Sequence, residues 1–245
     1  MTEKQVSKRK ASELAGTDQN KRQRRAKATK ESTRPRRRNP VETRRALLDA
    51  SITEFAQNGL AGARVDAIAR RAGVNKQLVY HYYGSKDELF TASLEEVYRQ
   101  IRSQERELEL HALPPLAAME RLVGFSFDYL AGHPEFIALL NDENRMRSAH
   151  LKGSRELVDM HSPLVDVIDR VLKRGVEEGV FHDRFGPVNL YISIASLSYF
   201  FFSNNPTLSA IFNRDMSSAT EVARRRQHVI DFVLHALRRH NQPTG

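Results

Sequence analysis

Residues 65–83 read VDAIARRAGVNKQLVYHYY, and this stretch decides the fold. Val65, Ile68, Ala69 and Ala72 recur at helical spacing, which predicts a short helix over 65–72 with that face turned inward. Gly73 stops it, because glycine tolerates the left-handed backbone of a helix end. Asn75 is a good N-cap for a second short helix over about 76–82. So tight a turn carries the second helix steeply across the first, and the crossing point needs a small residue. Ala69, four positions before Gly73, supplies one. Val74 plugs the gap between the helices, while Val79 and Tyr83 anchor the second to the first. Such a helix-turn-helix can push one helix, N-terminus first, into a DNA major groove.

The exposed residues of the second helix suit that use. Asn75, Lys76 and Gln77 stand at its leading end, where base edges are reached. Glutamine can pair with adenine through two hydrogen bonds, and lysine can donate to guanine. Tyr80 and His81 lie one turn later and can donate to phosphates. Lys86, with the free amides of the next helix start, offers a further phosphate clamp.

Outward from this stretch, every periodic segment is helical. Ala46, Leu47, Ala50, Ile52, Phe55 and Ala56 stripe a helix over about 41–58, ended by Asn58-Gly59. Ser85 caps a helix reaching to about 110, with Asp87 and Glu88 suiting the dipole of its first turn. Further helices are expected at about 115–131, 134–147, 155–178, 187–203 and 218–239, with Pro114-Pro115, Gly132-His133-Pro134, Gly153, Gly179, Gly186-Pro187 and Asn204-Asn205-Pro206 as breakers. The fold class is therefore all-α, with about nine helices.

The 245 residues carry 39 Lys+Arg and 30 Asp+Glu, a net charge of +9. Residues 1–40 alone carry +10, leaving −1 for the rest. Residues 1–39, with so few apolar side chains, read as a disordered basic tail that either keeps the protein soluble or binds a polyanion. There is no cysteine, which excludes disulfides, thiolate metal sites and cysteine nucleophiles. No phosphate-cradling glycine loop, metal-ligand spacing or nucleophile motif stands out, so neither enzyme, cofactor nor metal is expected. His228, Asp231 and His235 share a helix face, which a surface cluster explains as well as chemistry does. Without a long apolar span or an apolar leader, the expected location is the cytoplasm, against the nucleoid.

Residues 42–97 resemble the DNA-binding domain of TetR-family transcriptional regulators. The resemblance rests on Ala50, Phe55, Gly59, Val65, Ile68-Ala69, Ala72-Gly73-Val74, Leu78-Val79-Tyr80-His81-Tyr82-Tyr83 and Ser85-Lys86-Asp87-Glu88-Leu89. It implies a homodimer with a DNA-binding head over 40–105 and a ligand-binding and dimerisation domain over 106–245. By that resemblance the protein is a regulator, as a rule a repressor, released from a palindromic operator by a small-molecule effector. An activator would read the same. Where the family usually carries a threonine cap, Ala63-Arg64 stands, so either Asp66 substitutes or the helix frays. Gln77-Leu78 replaces the family's frequent Gly-Thr, so base readout is this chain's own.

The segment 106–245 resembles the family in layout only, with a loose likeness to members that sense pyrimidines or nicotinate-like acids. Phe125, Tyr129 and Tyr199 belong to an aromatic interior, and Asn141, Glu143, Asn144, Arg145 and His161 are polar groups on the same helices. Core packing explains the aromatics, and an effector pocket would use both sets. The expected ligand is flat and partly polar or anionic, with Asn144 or Arg145 as its anchor. Leu190, Ile194, Leu197 and Phe201 on one helix, with Val229, Val233 and Leu237 on the last, are the candidate dimer interface. The same stripes could instead face the subunit's own core.

Overall fold

The computed structural model describes residues 39–159 and 162–239. The described residues from Thr43 onward belong to one compact unit, and every contact below lies within it. The expected basic tail falls almost wholly outside the described residues.

Among the described residues the regular structure is helical: α1 Pro40–Gly62, α2 Val65–Ala72, α3 Gln77–Tyr83, α4 Lys86–Arg106, α5 Pro115–Gly132, α6 Pro134–Arg145, α7 Arg155–Asp159, α8 Ser162–Glu177, α9 Pro187–Ser203, α10 Asn205–Phe212 and α11 Ala219–Leu237. The helix expected over 155–178 is described as α7 and α8, on either side of residues 160 and 161. Helix α10 was not expected. Asn204-Asn205-Pro206 reads as a breaker, but Pro206 sits in the first turn of α10, where its missing N–H costs nothing.

Two cores organise the unit. The first joins α1–α4 to the end of α5 and to α6, through Leu47, Phe55, Ile68, Val79, Phe90, Tyr129, Phe136 and Leu139. It draws on both sides of the expected 105/106 boundary. The second joins α5, α8, α9 and α11, through Met119, Phe127, Ile168, Leu190, Ile194, Val229, Val233 and Leu237. Phe181 closes its base, where Arg239 N–H donates to Val180 O (3.0 Å) and His182 N–H to Leu237 O (3.2 Å).

This second core takes up most of the expected dimer face. Leu190, Ile194, Phe201, Val229, Val233 and Leu237 are buried inside the subunit, and Leu197 packs partly buried against them. Their contacts lie within the subunit's own core. Helix α9 is apolar on nearly every side, so the stripe that turned inward left another facing out. Val188, Ile192 and Phe200 on α9 and Phe232 on α11 are each more than half exposed.

Candidate nucleic-acid interface

The frame comes first. Ile68 and Ala69 of α2 and Val79 of α3 are buried, and Gly73 takes φ 67°, so the chain turns as the sequence predicts. Tyr83 reaches back to α1, its hydroxyl donating to Arg44 O at 2.9 Å. Burial raises the Tyr83 phenol above its usual pKa, against the pull of Arg44. Ser85 caps α4, its hydroxyl accepting from Glu88 N–H at 3.0 Å.

Neither outcome weighed for the start of α2 is what stands there. Arg64 precedes the helix and gives no side-chain cap. Instead Glu54 of α1 accepts from Arg64 N–H at 3.2 Å, fixing the entry of the chain. Asp66 turns away to Lys76, with the ammonium 3.0 Å from its carboxylate. That hydrogen bond and charge raise the Lys76 pKa.

Asn75, Lys76 and Gln77 are exposed together at the leading end of α3. Lys76, not Asn75, stands at the N-cap and gives no side-chain cap, while Asn75 one residue earlier accepts from Gln77 N–H through its side-chain oxygen at 2.9 Å. Tyr80 and His81 are exposed one turn on. Lys86 is half-buried instead, its ammonium donating to Ala63 O at 3.3 Å and lying 3.5 Å from Ala61 O at the end of α1. There it satisfies carbonyls that the helix end leaves open. A phosphate would have to draw it off them.

The head is tied to α6 by a contact that the sequence did not signal. Gly59 takes φ 65° and kinks α1 just before its last turn. The next amide, Leu60 N–H, donates to Asp142 Oδ2 at 2.6 Å. Arg145 pairs with the same carboxylate. Glu143, fully buried, accepts from His150 N–H and Leu151 N–H at 2.9 Å each, and His150 Nδ1 lies 2.8 Å from its other oxygen. The acidic end of α6 thus holds both the α1 kink and the loop beyond α6. Replacing Asp142 by alanine leaves a buried amide without a partner, a loss of about 1–3 kcal/mol. The expected result is faster hydrogen exchange at Leu60 with a lowered Tm, and unchanged exchange there would count against the tie.

Other candidates separate. Tyr129 is buried and its ring stacks on His133 at 4.1 Å, with Phe125 at 5.8 Å. Tyr199 donates its hydroxyl to Asn141, which also accepts from Ser203 Oγ at 3.1 Å. Asn141 lines a cavity of about 550 Å³ with Ile137, Phe202 and Ser203. Asn144 and Arg145 do not join them, because they sit at the exposed end of α6 with the Arg145 side chain 75% exposed. His161 lies outside the described residues. Among the described residues no helix is long and apolar enough to cross a membrane, and no cluster of three or more His, Cys, Asp or Glu is placed to hold a metal ion.

Residues 47–92 match the family model described as bacterial regulatory proteins, tetR family, and residues 115–233 match one described as tetracyclin repressor-like, C-terminal domain. The transcriptional repressor NicS of Pseudomonas putida is 34% identical over 197 residues, which span 80% of this chain and 93% of NicS. The transcriptional repressor SCO4008 of Streptomyces coelicolor is 33% identical over 166 residues, 66% of this chain and 80% of that one. Among solved structures, the regulator SCO4942 of Streptomyces coelicolor superposes with a TM-score of 0.60 at 25% identity, covering 80% of this chain and 98% of that one.

Proposed function

Since the chain belongs to the TetR family of bacterial transcriptional regulators, we propose that it is a homodimeric repressor, released from a palindromic operator by a small-molecule effector. The observation that carries this reading is α3, whose polar leading end stands clear of a buried Val79–Ile68 frame. Asn75, Lys76 and Gln77 read bases, and Tyr80 and His81 hold phosphates. Lys86 joins them once drawn off its carbonyls.

Dimer formation is supported by the exposed apolar row of α9 and α11. Two copies related by a two-fold axis cover each other's row as a four-helix arrangement. The two recognition helices then stand roughly 34–36 Å apart, one DNA turn. The effector, flat and polar or anionic, favours a spacing that no longer fits. Its coupling to DNA is of the order of 1–3 kcal/mol.

Asp66 competes with DNA for Lys76. Asp66→Asn frees the ammonium and removes a negative charge near the phosphates. The pair is exposed and screened by water, so operator affinity should rise by a few-fold at most, most at low salt. A fall in affinity would show that the pair positions Lys76 instead.

The direct test is selection of duplexes from a random pool by the full-length protein, followed by anisotropy titration. The reading expects enrichment of a palindrome with half-sites one turn apart. Equal affinity for selected and scrambled duplexes at moderate salt would overturn it.

A further inference from the structure

A cavity of about 540 Å³ opens between α4, α7 and α8, within the range that small ligands occupy. Arg99, Arg102 and Arg106 line it from one face of α4, at three- and four-residue spacing. Its apolar wall is Leu110, Leu164 and Val167. Of the residues singled out in the sequence for effector binding, none of the described ones lines this space.

Arg102 is 5% exposed. One end nitrogen, Nη1, donates to Glu105. The other, Nη2, donates to Tyr191 Oη of α9 at 3.2 Å. Its Nε is buried without a hydrogen-bond partner. Burial pushes the Glu105 carboxyl above the usual range, with Arg102 pulling it back. The Arg99 guanidinium is already occupied by Glu96 and Glu156. Glu156 and Asp159 also line the cavity, so its walls carry both signs. What decides the ligand is the unmet atom. Among the described residues no buried carboxylate oxygen lacks a partner, whereas the Arg102 Nε–H donor does. The site lacks an acceptor.

We propose that this cavity is the effector site and takes a carboxylic acid with an apolar body, its carboxylate held by Arg102. The inference rests on the effector-responsive reading above. Nε and Nη2 form the side edge of a guanidinium, which matches the two oxygens of a carboxylate. An ionised oxygen displaces the longer, neutral contact with Tyr191, and the hydrocarbon part lies on Leu164 and Val167. The position suits control of the head. Helix α4 carries Leu89 and Phe90 in the first core, shared with α1–α3, and presents Arg102 near its other end. A ligand bridging α4 and α8 therefore biases the helix on which the head is mounted.

The test uses the full-length protein with benzoate, phenylacetate, hexanoate and octanoate, each beside its primary amide. Thermal shift and calorimetry read binding, and anisotropy on the selected operator reads the consequence. At least one acid is expected to bind saturably, at least tenfold tighter than its amide. Arg102→Lys should weaken that acid about tenfold and Arg102→Gln should abolish its binding. Leu164→Trp, which fills the cavity and leaves the arginine alone, guards against misfolding of the arginine variants and should also block it. No saturable acid, equal binding of acid and amide, or full affinity in Arg102→Gln would overturn the proposal. An acid that binds through Arg102 but leaves operator affinity unchanged would refute the effector role alone. Loss of operator preference in the unliganded wild-type protein would refute the functional reading, while the binding site stayed measurable.

Discussion

Phe232→Asp is expected to leave a folded monomer that no longer holds a palindromic operator. Phe232 is 55% exposed on α11, beside the His228 ring at 6.1 Å, and takes no part in the second core. The subunit therefore loses little by the change. Its dimer loses a great deal, because a two-fold interface repeats every substitution. Fully burying such a side chain is worth about 1.5–3 kcal/mol, and with 55% of Phe232 left to bury, two copies account for about 1.5–3 kcal/mol. The new carboxylate would also have to be desolvated in the interface. The dimer dissociation constant should rise by about 10- to 200-fold. Sedimentation velocity reads the state, and an unchanged thermal transition at monomeric concentration shows that the fold persists. Leu190→Ala makes the contrast, since its side chain lies in the subunit's own core and should lower stability without selectively opening the dimer. A dimer unaffected by Phe232→Asp would move the interface elsewhere.

The second large effect belongs to the leading end of α3. Lys76→Ala and Gln77→Ala touch exposed side chains, so neither disturbs the Val79 frame. A good contact to a base edge is worth about 1–3 kcal/mol of discrimination. The double variant should therefore lower the ratio of selected to scrambled affinity by about 30- to 10⁴-fold. The two residues should separate by salt. Gln77→Ala leaves binding to random DNA intact, because it carries no charge. Lys76→Ala weakens binding to both duplexes, more to the selected one, and shallows the salt dependence. Full discrimination in the double variant would place readout on other residues.

The head was legible because its signals are local. Gly73 had to break a helix, Val79 and Ile68 had to be apolar at fixed spacing, and Ser85 had to precede an acidic first turn. Each of these acts within a few residues, and each appears in the structure as read. The start of α2 was less legible, because its tie comes from Glu54, ten residues upstream. On α9 the helix was legible and its inward side was not. A helix apolar on nearly every face gives periodicity no means to choose which stripe meets the core. The choice is made by α5, α8 and α11, which pack from elsewhere in the chain.

The effector side was harder to read for the same reason at longer range. Arg145 was singled out for its charge on an aromatic-rich stretch, yet it ends α6 facing solvent and pairs with its neighbour Asp142. Arg102 drew no notice, because one more arginine on a charged helix is unremarkable until its partners are seen. Its neighbours Tyr191, Leu164 and Val167 come from α8 and α9, more than sixty residues away. Helix α10 shows a milder case, where Pro206 was taken for the end of one helix and is the beginning of another.

Operator recognition depends first on α3 entering the major groove, and the sequence itself supplies the probe. The chain has no cysteine, so Gln77→Cys carries a single thiol for a photoactivated crosslinker. Irradiation on the selected operator is predicted to join the protein to bases at two symmetric positions, one helical turn apart. Crosslinks spread evenly along the duplex, or confined to scrambled and selected DNA alike, would contradict it.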